Sequence, residues 1–168
     1  RSFGLKRAKV INVLSHENDQ NLISLISINE FDIPTEFTPE AISLAEQAQP
    51  VKISKGREDL RDINLITVDG DDARDFDDAI WAEKDKNPHN LNGWRMIVAI
   101  ADVAHYVSNG DPLDIDARKR GNSVYFADRV VPMLPENLSN GLCSLKPNED
   151  RGCLAVEIII DKFGHKKS

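Results

Sequence analysis

Apolar residues along this chain fall into short runs separated by charged and turn-forming stretches. Val10-Ile11-Asn12-Val13-Leu14, following the basic Lys6, Arg7 and Lys9, reads as the last strand of a preceding unit. Between Asn21 and Phe31, the positions Leu22, Ile23, Leu25, Ile26 and Ile28 fit a short amphipathic helix or a strand, and the β-branched content leaves both open. Thr38-Pro39-Glu40 is a clearer helix start: a capping hydroxyl, a proline at the first helical position and an early acid. That helix is expected to run to about Ala48 and to stop before Pro50. Lys52–Asp62 is a charged connector. Strands are expected at Leu65–Val68, Ala79–Glu83 and Trp94–Ala101, with the Asn-, Lys- and Pro-rich stretch Lys84–Gly93 as the hairpin loop between the last two. Asp111–Arg120 predicts a helix with a basic end, closed by Gly121. Val130–Pro135 reads as extended, and Leu154–Ile160 as a strand ending in the turn Asp161-Lys162-Phe163-Gly164. No internal repeat or low-complexity segment interrupts the pattern. The class is α/β of the α+β kind.

The chain has 168 residues, 40% of them hydrophobic and 29% charged, an ordinary globular composition. Its longest purely apolar stretches, such as Met96–Ala101, fall far short of the roughly 20 residues a membrane-spanning helix needs. Cys143 and Cys153 lack CxxC spacing, so they make no zinc or redox motif, and a reducing, cytoplasmic setting is expected. Taken as a single number, the formal charge of −7 disfavours a nucleic-acid partner.

The charge is unevenly placed. Asp69 to Asp78 reads D-G-D-D-A-R-D-F-D-D, six aspartates against one arginine, so ten residues carry −5 and all the others together only −2. The flanks Leu65-Ile66-Thr67-Val68 and Ala79-Ile80-Trp81-Ala82 are strand-like, which anchors the acids inside a fold. If the chain turns back at Gly70, Asp69, Asp75, Asp77 and Asp78 can converge, and such oxygen donors suit Mg²⁺ or Mn²⁺. A calcium loop fails on spacing, since the sixth position from Asp69 is Arg74 and the twelfth is Ile80. On composition alone a solvated charge run and a metal site both remain open.

Several motifs occur together and in order. Asp59-Leu60-Arg61-Asp62, Ile66-Thr67-Val68-Asp69 with the aspartate cluster, Val98-Ala99-Ile100-Ala101-Asp102-Val103 and Arg120-Gly121-Asn122-Ser123-Val124-Tyr125 are followed by Val131-Pro132-Met133-Leu134-Pro135 and Leu138-Ser139-Asn140-Gly141-Leu142-Cys143-Ser144-Leu145. This series resembles the RNB catalytic domain of the RNase II / RNase R family, and the D-G-D-D-A-R-D-F-D-D and N-G-L-C-S-L wording is nearer the bacterial RNase R branch.

The resemblance implies a mixed, largely antiparallel sheet with flanking helices. Residues 57–168 would be the N-terminal portion of the RNB domain, and residues 1–56 the end of a cold-shock (OB-type) domain with a helical linker. The chain would be an internal fragment, weak or inactive alone, because the family's catalytic domain continues further. The implied activity is processive 3′-to-5′ hydrolysis of single-stranded RNA to nucleoside 5′-monophosphates, with a monomeric parent enzyme and neither membrane nor DNA as partner. Asp69, Asp75, Asp77 and Asp78 match the family aspartates around two Mg²⁺ ions, for which Mn²⁺ is a possible substitute. Tyr125 matches the tyrosine that packs on the terminal base, and Arg120 is expected to contact RNA. Asp102 could support a ligand from behind, while His105 and Cys143 read as structural. The alternatives are a noncatalytic RNA-binding or regulatory member of the same fold, or a simple divalent-cation module.

Overall fold

A computed structural model of the chain describes residues 9–10, 13–14, 21–54, 56–71 and 73–168. The strand expected within residues 1–14, the unit it would close, and Asp72 of the acidic cluster lie wholly or mostly outside the described residues.

Asn21–Phe31 resolves as a helix, α1 (Leu22–Glu30), whose buried residues Ser24 and Ile28 are four apart and so share one helical face. The Ser24 hydroxyl sits 2.8 Å from Asp128 Oδ2, a long-range tie that local β-propensity does not foretell. Helix α2 (Pro39–Gln47) starts where its cap motif places it, the Thr38 hydroxyl accepting from the Ala41 amide at 3.3 Å.

Strands β1 (Asp78–Lys84) and β2 (Trp94–Ala101) form an antiparallel hairpin that pairs Asp78 with Ile100 and Lys84 with Trp94. Inside its loop, the buried Asn90 amide group donates to Asp85 Oδ2 at 2.7 Å and to the Ile160 carbonyl at 2.9 Å. Gly93 faces the same carbonyl, and a Cβ there would lie 2.5 Å from it, so no other residue fits without movement.

Helix α3 (Pro112–Arg120) is capped by Asp111, whose carboxylate accepts from the Asp114 amide at 2.8 Å, and ends at Gly121 with φ 76°. The short strands β3 (Val124–Tyr125) and β4 (Val130–Val131) pair with each other. Strand β5 (Cys153–Ile160) runs antiparallel to β2, giving the sheet order β1-β2-β5.

One expected strand is absent. Leu65–Val68 contributes a single two-bond bridge between Ile66 and Ile80, at 2.9 and 2.8 Å, and no extended ladder. Pairing along β1 is carried by β2, and past Val68 the chain leaves the sheet edge for the acidic segment.

The main apolar cluster lies beyond one end of the sheet. Ala41 and Ala45 of α2, Leu113 and Ala117 of α3, and Ala101 at the end of β2 pack with Leu134, Leu138 and Cys143. The small alanines let α2 and α3 approach closely, and the leucines fill the space between them. A buried acid locks the helices together: Asp116 Oδ2 accepts from the Thr38 amide at 2.8 Å and the Thr38 hydroxyl at 2.9 Å. Burial pushes this carboxyl up, but the Thr38 hydrogen bonds and the charges of Lys119 and Arg120 outweigh it and leave the net shift downward.

A group whose folded value is depressed stabilises the fold above its unfolded value, and that contribution disappears as pH falls through the folded one. Asp116→Ala leaves the partly buried Thr38 amide and hydroxyl without their acceptor, so a loss of about 1–3 kcal/mol is expected in denaturant unfolding at neutral pH. The gap between wild type and variant should close below the ordinary carboxylate range.

Candidate active site

The acidic segment runs from the Ile66 bridge to the first residue of β1. Gly70 turns the chain, its carbonyl accepting from the Ala73 amide at 3.0 Å. Residues 74–77 are then held by backbone bonds to two distant stretches. The Leu145 amide donates to the Phe76 carbonyl at 2.8 Å, and the Ala101 amide donates to the Asp77 carbonyl at 2.9 Å. Asp78 follows as the opening residue of β1, opposite Ile100. The acids are therefore mounted at the end of the sheet nearest the apolar core.

Asp69, Asp75, Asp77 and Asp78 share one electrostatic neighbourhood. Partial burial, followed by the charges of Asp75, Asp78 and Asp69, raises the Asp77 carboxyl above its ordinary value. Asp77 still opens to solvent, which tempers this repulsion. Among the described residues, no three Asp, Glu, His or Cys side chains are placed to share one ion. The carboxylates repel one another, and that of Asp75 is already engaged by the Tyr125 hydroxyl at 2.5 Å.

By donor chemistry the set nonetheless fits a hard divalent cation. It offers only oxygens, and the Cys143 thiol, which feels the Asp77 charge, is no competitor: burial first of all pushes it up to about 11, so it stays protonated at neutral pH.

Tyr125, on β3, is 63% exposed, which leaves its ring face open while its hydroxyl is bound to Asp75. That hydrogen bond, with partial burial and the Asp75 charge, raises the phenol above its ordinary value. Arg120 sits elsewhere than at an open phosphate site. Its guanidinium donates to the carbonyls of Pro34 at 2.6 Å, Glu36 at 2.7 Å and Pro132 at 3.3 Å, and lies 3.8 Å over the Phe37 ring. Asp102 pairs with Arg57 at 2.7 Å, clipping the connector to the end of β2. His105 is exposed and packs edge-on against Tyr106, with ring centroids 4.9 Å apart.

The sequence reading passed over Ser144. This serine is fully buried, and its hydroxyl lies 2.9 Å from the Arg74 carbonyl and 3.1 Å from the Phe76 amide, on either side of Asp75. The available signal was a lone hydroxyl inside the apolar run Leu142-Cys143-Ser144-Leu145, where a buried polar group must find partners.

Residues 57–168 match the family model "RNB domain". The chain is similar to "Ribonuclease R" of Vibrio parahaemolyticus, with 47% identity over all of this chain and 20% of the relative. It is 43% identical to "Ribonuclease R" of Escherichia coli K12, covering 93% of this chain and 19% of that protein. It thus spans about a fifth of the length of these curated relatives. Among solved structures, Mycoplasma genitalium RNase R in complex with ribose-methylated single-stranded RNA superposes with a TM-score of 0.79 and 35% identity, over 90% of this chain and 23% of that one. Motif order, antiparallel sheet and sequence identity converge: this chain belongs to the RNB domain family.

Proposed function

We propose that the protein carrying this chain is a 3′-to-5′ exoribonuclease that degrades single-stranded RNA processively to nucleoside 5′-monophosphates. The observation that carries this reading is the grouping of Asp69, Asp75, Asp77 and Asp78 in one field beside the exposed ring of Tyr125. An RNA-bound RNase R among the structural relatives supports RNA as the substrate class.

In this reading the four aspartates hold Mg²⁺, with Mn²⁺ as the replacement ion. When bound, the metal supplies a neutralised scissile phosphate and a water of lowered pKa. The protein's own residues do the rest. The aspartates fix where positive charge can collect, and Asp78 is built into the start of β1. Tyr125 offers a stacking face that accepts any base, which suits an enzyme without sequence preference. Its hydrogen bond to Asp75 couples the base-stacking side chain to the acidic cluster.

Arg120 serves the site indirectly. By bonding the Pro132 carbonyl, next to β4, it steadies the β3–β4 hairpin that carries Tyr125. Cys143 and Cys153 are free thiols, in keeping with a cytoplasmic enzyme, and no helix among the described residues is long and apolar enough to cross a membrane.

In the full-length protein, Asp78→Asn is expected to reduce Mg²⁺-dependent mononucleotide release more than the ~10–100-fold that losing an outer partner of a metal site costs, with RNA binding retained. Unchanged turnover in that variant would sink the catalytic assignment. Tyr125→Ala should weaken binding of a single-stranded 3′ end by about 1–3 kcal/mol. Tyr125→Phe, which keeps the ring and removes the hydroxyl with its bonds to Asp75 and Ser123, should bind close to wild type in the same filter or fluorescence assay.

A further inference from the structure

We propose that Ser144 is a positioning residue for the cation-binding aspartates, setting the separation of Asp75 and Asp77 through the backbone between them. The inference rests on the functional reading above and extends it to a residue that touches neither metal nor RNA.

The hydroxyl of Ser144 has no access to solvent, and it uses both of its capacities on one short stretch. It donates to the Arg74 carbonyl at 2.9 Å and accepts from the Phe76 amide at 3.1 Å, so the backbone groups on both sides of Asp75 end on one oxygen. The next residue, Leu145, adds a third bond from its amide to the Phe76 carbonyl at 2.8 Å. Two consecutive residues thus hold Arg74, Asp75 and Phe76 against a separate part of the fold. For simple space-filling an alanine would serve, and it would leave no buried hydroxyl to satisfy.

The mount behind the serine is hydrogen-bonded in its own right. The Ser144 amide donates to the Gly141 carbonyl at 3.1 Å, and the Cys143 amide to the Leu138 carbonyl at 2.8 Å, closing the single π-helical turn Leu138–Leu142. Arg151 Nε braces that turn from outside, reaching the Gly141 carbonyl at 3.2 Å and the Ser144 carbonyl at 3.1 Å. Leu138 and Cys143 are themselves part of the buried core. Core packing is therefore passed through Ser144 to a loop whose charges would otherwise spread apart.

The test compares the full-length protein with its Ser144→Ala variant, using Mn²⁺ binding by calorimetry, RNA binding without divalent ions, and single-turnover cleavage. The expected result is an Mn²⁺ dissociation constant raised about 10–100-fold and cleavage slowed to match, while metal-free RNA affinity stays within about twofold. Equal Mn²⁺ affinity in the two proteins would overturn the proposal. So would fast hydrogen exchange at the Phe76 amide of the unsubstituted protein, a measurement that needs no variant to fold. If the unsubstituted protein binds no Mn²⁺, the functional reading falls together with this one. That outcome is distinct, because it appears before any substitution is made.

Discussion

Carboxylates crowded into one loop push apart. Two unit charges about 4 Å from each other repel by about 1 kcal/mol in water and by about 4 kcal/mol at the effective dielectric of a protein surface. The segment from Asp69 to Asp78 works against that force, and the fold around it is arranged to resist spreading. The Ile66–Ile80 bridge holds one end, and the β1 ladder from Asp78 holds the other. Between them, Ser144, Leu145 and Ala101 bind the backbone of residues 74–77. The carboxyl of Asp77 is raised first by partial burial and then by the charges of Asp75, Asp78 and Asp69, so part of the repulsion remains.

The placement of the hydrophobic core follows from the same constraint. Its buried members come from α2, α3, the end of β2 and the stretch around Leu134–Cys143, all at the end of the sheet where the acids emerge. Ala101 belongs to that core and also donates to the Asp77 carbonyl, so one residue joins packing to site geometry. The Asp116–Thr38 lock keeps α2 and α3 together behind it. Arg120, at the last turn of α3, connects the same helix to the approach segment and to the strand pair bearing Tyr125. Stability and site placement thus draw on the same contacts.

Local chemistry made much of this legible. The caps of α2 and α3 and the hairpin loop after β1 are written in residues that act on their immediate neighbours: Thr38 with Pro39, Asp111 with Gly121, Asn90 with Gly93. The acidic cluster stood out because charge density is visible in any alphabet. Features set by distant partners were hidden. The helical state of α1 depends on contacts such as Ser24 with Asp128, and Leu65–Val68 keeps only a single bridge on the outer edge of β1. Arg120 was expected to contact RNA; a guanidinium donates to phosphate and to carbonyl oxygens alike, so residue type did not reveal its bonds to Pro34, Glu36 and Pro132. Ser144 reaches across about 70 residues to the acidic loop, a distance over which spacing carries no information.

In the proposed function, the fold holds mutually repelling aspartates in place for a divalent cation to neutralise. Thermal unfolding of the full-length protein and its Asp77→Asn variant, each with and without Mg²⁺, tests it most directly. Removing one charge should make the metal-free variant more stable than the metal-free wild type, because the native state no longer bears that repulsion. Mg²⁺ should then raise the melting temperature of the wild type by more than that of the variant. A metal-free variant less stable than wild type, with an equal gain from Mg²⁺ in both proteins, would contradict the account.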